Sequence, residues 1–169
     1  MICHFMIGVP GSGKSTIAQQ LAEITQGIII STDRIREQLY GEEIIQGNWS
    51  EIEAEVLRQM ETAIASSQPI IYDATNAYPQ WRLELLEKIA LISPEIPRSW
   101  MAWVLETPIE ICKQWNQNRQ RQVPEFVIEK MGKAIANFPP TLSEGFIKVY
   151  HLKPGCFNLY MSAIYRARD

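Results

Sequence analysis

The sequence predicts an α/β fold of three layers, in which a parallel β-sheet of about five strands has helices on both faces. Two observations predict this fold. Short apolar runs alternate along the chain with segments of helical periodicity, and several runs are rich in β-branched residues, as central parallel strands are. The chain has 169 residues, of which 46% are hydrophobic, so we expect one core and a single domain over residues 1–169.

The order of strands and helices follows from the apolar pattern. Apolar runs predict strands at residues 2–9, 28–30, 70–72, 99–105 and 146–152. Helical spacing predicts helices at 14–25 and 32–40, and further helices starting near Ser50, Pro79, Thr107 and Pro124. Ser50 is followed three residues later by Glu53, and Thr107 by Glu110, which predicts a capping box at each helix start. The tail from Phe157 fits either a strand or a docked coil.

Composition limits the partners and the compartment. The net charge is −3, so the chain has no overall basic excess to cover a long nucleic-acid duplex, although a nucleic-acid end in a narrow pocket stays possible. The cysteines at 3, 112 and 156 are scattered, which indicates reduced thiols. No apolar run approaches the roughly 18 residues that span a bilayer, and the N-terminus lacks a basic signal-peptide region. We therefore expect a cytoplasmic protein without a membrane partner.

A phosphate-binding motif lies between the first strand and the first helix. Residues 8–15, GVPGSGKS, match G-x-x-x-x-G-K-S completely and have the strand and helix that the motif requires around it. Glycines let successive backbone N–H groups turn inward around an anion, and the following helix adds its positive end. The motif predicts a P-loop NTPase fold that binds ATP and Mg²⁺. We predict that the nucleotide contacts Gly8, Pro10, Gly11, Ser12, Gly13, Lys14, Ser15 and Thr16.

Acidic residues at strand ends complete the predicted chemistry. Lys14 should reach the β- and γ-phosphates, and Ser15 together with Asp73 should hold Mg²⁺. The alternative for Asp73 is a plain strand-end or helix-cap role. Asp33, after the second strand, could take the proton of an attacking hydroxyl, and Arg36, one turn on, could bind a phosphate of the acceptor. The alternative is that Asp33 caps a helix and Arg36 is a solvated surface residue.

A polar stretch at residues 116–122 is the predicted tip of a helical lid over about residues 113–137. Its Arg119 and Arg121 could close over the transferred phosphoryl group, stabilise its charge and exclude water. The alternative is a solvated loop between two helices.

Four motifs, in this order, resemble those of the polynucleotide 5′-hydroxyl kinases, which belong to a broader family of small AAA-type ATP-binding P-loop kinases. The resemblance covers roughly residues 1–135. The motifs are residues 8–15, S-T-D-x-x-R at 31–36, D-A-T-N at 73–76, and W-N-Q-N-R at 115–119 followed by V-P-x-x-V at 123–127.

This resemblance implies specific roles. Asp33 would be the general base, Arg36 would hold a 3′-phosphate of the acceptor, and Arg119 would bind the donor phosphates. Asp73 and Asn76 would support the acceptor site. The lid departs from the family pattern, because Trp115 stands where an arginine is common.

The function that these motifs predict is ATP-dependent transfer of the γ-phosphoryl group to a hydroxyl acceptor, with a polynucleotide or nucleotide 5′-hydroxyl favoured. One alternative is a kinase for a small molecule such as a sugar, nucleoside or antibiotic, since it would share the P-loop and a strand-end acid. Another is an ATP-binding switch module without a dedicated acceptor. A switch needs neither the Asp33–Arg36 pair nor a basic lid.

Overall fold

A computed structural model describes residues 1–42, 45–119, 121–158 and 161. These residues form one five-stranded sheet in the order β2-β3-β1-β4-β5, and every neighbouring pair in it is parallel. The strands are β1 (Ile2–Ile7), β2 (Ile28–Ser31), β3 (Ile70–Asp73), β4 (Ser99–Leu105) and β5 (Phe146–Leu152). The predicted parallel sheet of five strands is confirmed.

Six α-helices connect the strands in the described part of the chain. They are α1 (Lys14–Thr25), α2 (Thr32–Tyr40), α3 (Trp49–Ala65), α4 (Pro79–Ala90), α5 (Ile109–Gln117) and α6 (Glu125–Asn137). A short 3₁₀ turn, Leu142–Glu144, precedes β5. None of these helices combines the length and apolar character that crossing a bilayer requires.

The core has one cluster on each face of the sheet, because side chains of a strand alternate between the faces. On one face, residues 3, 5 and 7 of β1 pack with α3 and α4, where Val56 and Ile89 are fully buried. On the other face, Met6 packs with Leu21 of α1 and with Trp103 of β4. The two clusters confirm the three predicted layers. The strand order places β1, which leads into the P-loop, in the middle of the sheet.

One predicted helix start and the predicted tail differ from the structure here. Helix α3 begins at Trp49, and its cap is Asn48, whose side-chain oxygen accepts a hydrogen bond from the backbone N–H of Ser50 at 3.0 Å. The predicted cap at Ser50 was therefore wrong, because the asparagine side chain satisfies the free backbone donor from two residues earlier. Phe157 and Asn158 are helical rather than strand or coil. The rest of that tail, apart from residue 161, lies outside the described residues, as do residues 43, 44 and 120.

Candidate active site at the carboxyl ends of the strands

The P-loop follows β1 and requires glycine at two positions. Gly11 and Gly13 have φ angles of +79° and +91°, which side chains other than glycine rarely adopt. A Cβ on Gly11 would lie 2.3 Å from the carbonyl oxygen of Cys112 in α5, so α5 packs directly on the loop. Gly13 caps α1 without a side-chain hydrogen bond, which leaves the first N–H groups of the helix available to an anion.

Polar contacts hold the loop in place from both sides. The hydroxyl of Thr107, just after β4, donates to the carbonyl oxygen of Ser12 at 2.8 Å. The buried ammonium group of Lys14 donates to the carbonyl oxygen of Val9 at 2.9 Å. Burial lowers the pKa of Lys14, and the carboxylates of Asp73 and Asp33 act in the opposite direction. The lysine thus lies against its own loop, within the field of both acidic residues.

The function of Thr107 corrects the sequence interpretation. Helix α5 begins at Ile109 after Pro108, and no side chain caps it. The hydroxyl that was expected to cap α5 instead binds the P-loop, 95 residues away in sequence. A local capping pattern cannot reveal such a tertiary partner.

Ser15 and Asp73 meet at the ends of two elements that the sheet brings together. Strands β1 and β3 are paired, so the first turn of α1 faces the last residue of β3. The hydroxyl of Ser15 donates to Oδ2 of Asp73 at 2.8 Å. Hydroxyl and carboxylate oxygens are hard ligands that suit Mg²⁺, which commonly takes one or two carboxylates and completes its shell with water and substrate phosphates. The donor set of this pair therefore fits the cation that the P-loop predicts.

Asp33 is held by two arginines from different parts of the chain. It is the second residue of α2, whose cap is Ser31, so Asp33 does not cap this helix. Its Oδ1 accepts a hydrogen bond from Arg36 at 2.9 Å and a second one from Arg121. Burial lowers the pKa of the Arg36 guanidinium, and the negative charge of Asp33 opposes that shift. Arg36 is 13% exposed and Arg121 12%, so neither is a freely solvated surface residue.

A cavity of about 190 Å³ joins these groups. Its walls are Ser15, Ile29, Ser31, Asp33, Arg34, Asp73 and Arg119. The structure thus brings together the predicted metal pair, the predicted base and the predicted lid arginine, although they come from four separate motifs. Arg34 was not among the predicted site residues, because the two positions between Asp33 and Arg36 are variable in the S-T-D-x-x-R motif.

Other predicted site residues lie away from this cavity. Asn76 is buried and has a φ of +52°, and its amide nitrogen donates to the carbonyl oxygen of Met6 at 2.7 Å. This contact, with the hydrogen bond from the N–H of Gly8 to the carbonyl of Thr75 at 3.1 Å, joins the β3–α4 loop to the P-loop strand. Asn76 therefore braces the site from behind. All of the predicted nucleotide contacts, including those of Pro10 and Thr16, stay predictions.

The predicted lid corresponds to the hairpin of α5 and α6. Lys113 of α5 lies 2.6 Å from Glu129 of α6, which ties the two helices together. At the tip, the buried amide of Asn116 both donates to the carbonyl of Val123, at 2.8 Å, and accepts from its N–H, at 3.0 Å. This double contact presents Arg119 and Arg121 toward the site. Asn116 was grouped with a polar loop in the sequence, but it belongs to α5 and organises the loop.

Sequence reasoning missed a buried arginine behind the site. Arg82 of α4 is fully buried and forms a two-pronged ion pair with Glu144, with distances of 2.6 and 2.8 Å. It also donates to the carbonyls of Asn76, Ala77 and Phe138. Arg82 thus connects the loop after β3 with the end of α6. A charged residue within an amphipathic helix gives no sign of this, since its partners lie far away in sequence.

With this geometry established, the comparisons with known proteins identify the family. Residues 3–138 match the model of the AAA_33 family, an AAA domain. The chain belongs to this family. An alignment of 88 residues, which covers 44% of the AAA_33 chain, shows 33% identity to an uncharacterized protein of Mycobacterium tuberculosis (strain ATCC 25618 / H37Rv). That alignment spans only 18% of the relative's length.

Solved structures share the fold of this AAA_33 chain at low sequence identity. Kti12 from Chaetomium thermophilum, solved in complex with ADP-AlF3, has a TM-score of 0.71 and 16% identity, with 99% of this chain and 98% of that one covered. A chain of the Pnkp1/Rnl/Hen1 RNA repair complex has a TM-score of 0.64 and 20% identity, covering 80% and 44%. Shikimate kinase from Acinetobacter baumannii has a TM-score of 0.62 and 18% identity, covering 97% and 90%. The fold is that of the P-loop kinases.

Proposed function

We propose that this AAA_33 chain is an ATP-dependent kinase that transfers the γ-phosphoryl group to the 5′-hydroxyl of a polynucleotide or nucleotide. One observation carries the proposal: Ser15 and Asp73 share a cavity with Asp33, the carboxylate of the second strand end. The P-loop side of this cavity suits the donor phosphates. The Asp33 side offers a proton acceptor for an incoming hydroxyl, which an ATP-binding switch would not need.

In the proposed reaction, the chain orients two substrates and moves one proton. Asp33 accepts the hydroxyl proton, the acceptor oxygen forms a bond to the γ-phosphorus, and the bond from that phosphorus to the bridging oxygen of ADP breaks. Lys14 leaves the carbonyl of Val9 for the β- and γ-phosphates. Arg119 faces the charge that develops on the transferred group. Ser15 and Asp73 would hold Mg²⁺, whose charge would help to neutralise the phosphates.

The acceptor side of the cavity has more guanidinium groups than are needed to balance the charge of the Asp33 carboxylate. Arg34 lines the cavity, while Arg36 and Arg121 both contact Asp33. In a chain of net charge −3, this local concentration of guanidinium groups suits an acceptor that already carries phosphate. Likeness to a chain of an RNA repair complex supports a nucleic-acid acceptor. We therefore assign the 3′-phosphate of the terminal acceptor nucleotide to Arg36.

The test is a phosphoryl-transfer assay with γ-labelled ATP. The acceptors are DNA and RNA oligonucleotides with a 5′-hydroxyl, nucleosides, nucleoside 3′-monophosphates, and sugars as small-molecule competitors. We expect label on the oligonucleotides and on the nucleoside 3′-monophosphates. Label on sugars alone would replace the nucleic-acid acceptor with a small metabolite, and binding of ATP without any labelled acceptor would reject the kinase.

A variant of Arg36 tests the assignment of the acceptor phosphate. Arg36→Gln should raise KM for nucleoside 3′-monophosphates by about tenfold or more, since a charge-assisted contact to phosphate is lost, and should leave KM for ATP unchanged. Arg58→Gln is the matched control, because Arg58 is an exposed arginine of α3 that pairs with Glu55 of the same helix. Equal KM values for Arg36→Gln and the wild type would refute the assigned role.

A further inference from the structure

An exposed indole lies beside the P-loop. Trp115 is 45% exposed on α5, in contrast to Trp100 and Trp103 of the core. Its ring atom Cζ3 lies 3.7 Å from the position that a Cβ on Gly13 would occupy. An indole at ordinary contact distance of the phosphate-binding loop, with nearly half of its surface exposed, has accessible aromatic surface for a ligand bound to that loop.

The packing of α5 holds this indole in place. The neighbouring residues of the same helix, Cys112 and Asn116, are the ones that a side chain on Gly11 would meet. Asn116 is buried and bonded at both ends of its amide to Val123. The helix turn that carries Trp115 is therefore anchored on the P-loop on one side and on the lid tip on the other.

The position of Trp115 relative to the cavity decides what it can touch. Arg119, four residues later, lines the cavity with Asp33, where the transferable phosphate must lie. Trp115 does not line that cavity but lies one helix turn earlier, beside Gly13. With its γ-phosphate toward Asp33, a bound nucleotide has its α-phosphate and nucleoside outside this cavity, and Trp115 is an aromatic side chain outside the cavity at contact distance of the P-loop.

We propose that the indole of Trp115 is the platform on which the base of the bound nucleotide stacks. Every nucleobase has a π-face that can stack on an aromatic ring, so this contact recognises the presence of a base and discriminates weakly among bases. An indole carries no charge, so it should contribute nothing to affinity for the phosphates themselves. The proposal rests on the proposed function, since it takes the P-loop to be occupied by a nucleoside triphosphate.

The experiment compares ATP with inorganic tripolyphosphate, which has the phosphate chain and no base. Calorimetry with Mg²⁺ gives Kd for both ligands on the wild type, Trp115→Ala, Trp115→Phe and Trp81→Ala. Trp81 of α4 is a matched control, because it is 46% exposed and packs on Tyr78, the residue before that helix. We expect Trp115→Ala to weaken ATP by about tenfold or more, to leave tripolyphosphate unchanged, and to be largely rescued by Trp115→Phe.

Different failures point to different errors. Unchanged ATP affinity in Trp115→Ala would overturn the stacking role. Equal losses for ATP and tripolyphosphate would also overturn it, because the indole would then only support the P-loop. Failure of wild-type protein to bind either ligand would instead remove the proposed function, and the platform with it. If the wild type binds both ligands but labels no acceptor, the kinase proposal fails while the platform stands.

Discussion

Replacing Arg82 tests how the site is supported from behind. The side chain makes five hydrogen bonds, two to Glu144 and three to the carbonyls of residues 76, 77 and 138. Arg82→Met keeps most of the volume and removes all five. The carboxylate of Glu144, only 8% exposed, then loses its cation and retains its contact with the N–H of Thr141.

The size of the loss follows from burial. Breaking a buried ion pair by removing one partner costs about 3–5 kcal/mol, because the other charge stays desolvated. A domain of this size typically unfolds with about 5–15 kcal/mol, so Arg82→Met should remove a large share of the stability. At roughly 2–4 °C per kcal/mol, the melting temperature should fall by roughly 6–20 °C.

Urea denaturation followed by far-ultraviolet circular dichroism measures this loss. The matched control is Arg58→Met, because Arg58 also forms a two-pronged pair, with Glu55 at 2.7 Å, but is 65% exposed. An exposed pair is screened by water and contributes little to stability, so this variant should unfold almost as the wild type does. The double variant Arg82→Met/Glu144→Met should recover part of the loss, since no unpaired charge stays buried. Equal effects of Arg82→Met and Arg58→Met would refute the argument from burial.

The remaining predictions concern the site itself. Asp33→Asn should lower kcat for phosphoryl transfer by roughly 10²–10⁴ and leave the Kd for ATP unchanged, and full activity in the transfer assay would remove Asp33 as the base. Gly11→Ala should lower the free energy of unfolding and weaken ATP binding, because its Cβ would lie 2.3 Å from the carbonyl of Cys112. Gly41→Ala has a similar positive φ of +82° and meets nothing within 4 Å, so it isolates backbone strain of about 1–3 kcal/mol from the clash. Identical losses in both glycine variants would show that contact with α5 is unimportant.

Local sequence patterns predicted most of the fold, because the preference of each segment for helix or strand agrees with the structure that it adopts. The β-branched run at residues 28–30 and the apolar run at 99–105 favour strands wherever they are placed, and the P-loop signature includes its own strand and helix. The five strands and α1 therefore follow from the sequence alone. The sequence also predicts that the site residues lie close together, because the carboxyl ends of parallel strands meet at one edge of the sheet.

Tertiary hydrogen bonds explain what local patterns could not predict. Thr107 has the sequence of a helix cap, but its hydroxyl binds the P-loop. The polar sequence around Asn116 indicates a loop, but in the structure its amide forms two hydrogen bonds with the backbone of Val123. The contact between Arg121 and Asp33 spans 88 residues of sequence, so only the folded chain shows that the lid and the candidate base meet.

The contact between Arg121 and Asp33 has a consequence for ATP hydrolysis in the absence of an acceptor. One carboxylate oxygen of Asp33, Oδ1, already accepts hydrogen bonds from guanidinium groups of both α2 and the hairpin tip. In the proposed kinase, a water molecule beside bound ATP would find this oxygen occupied by donors, so we expect hydrolysis without an acceptor to be slow. In the proposed reaction, an acceptor that binds Oδ1 of Asp33 would displace Arg121, and the displaced arginine would then be available to the phosphates when transfer begins.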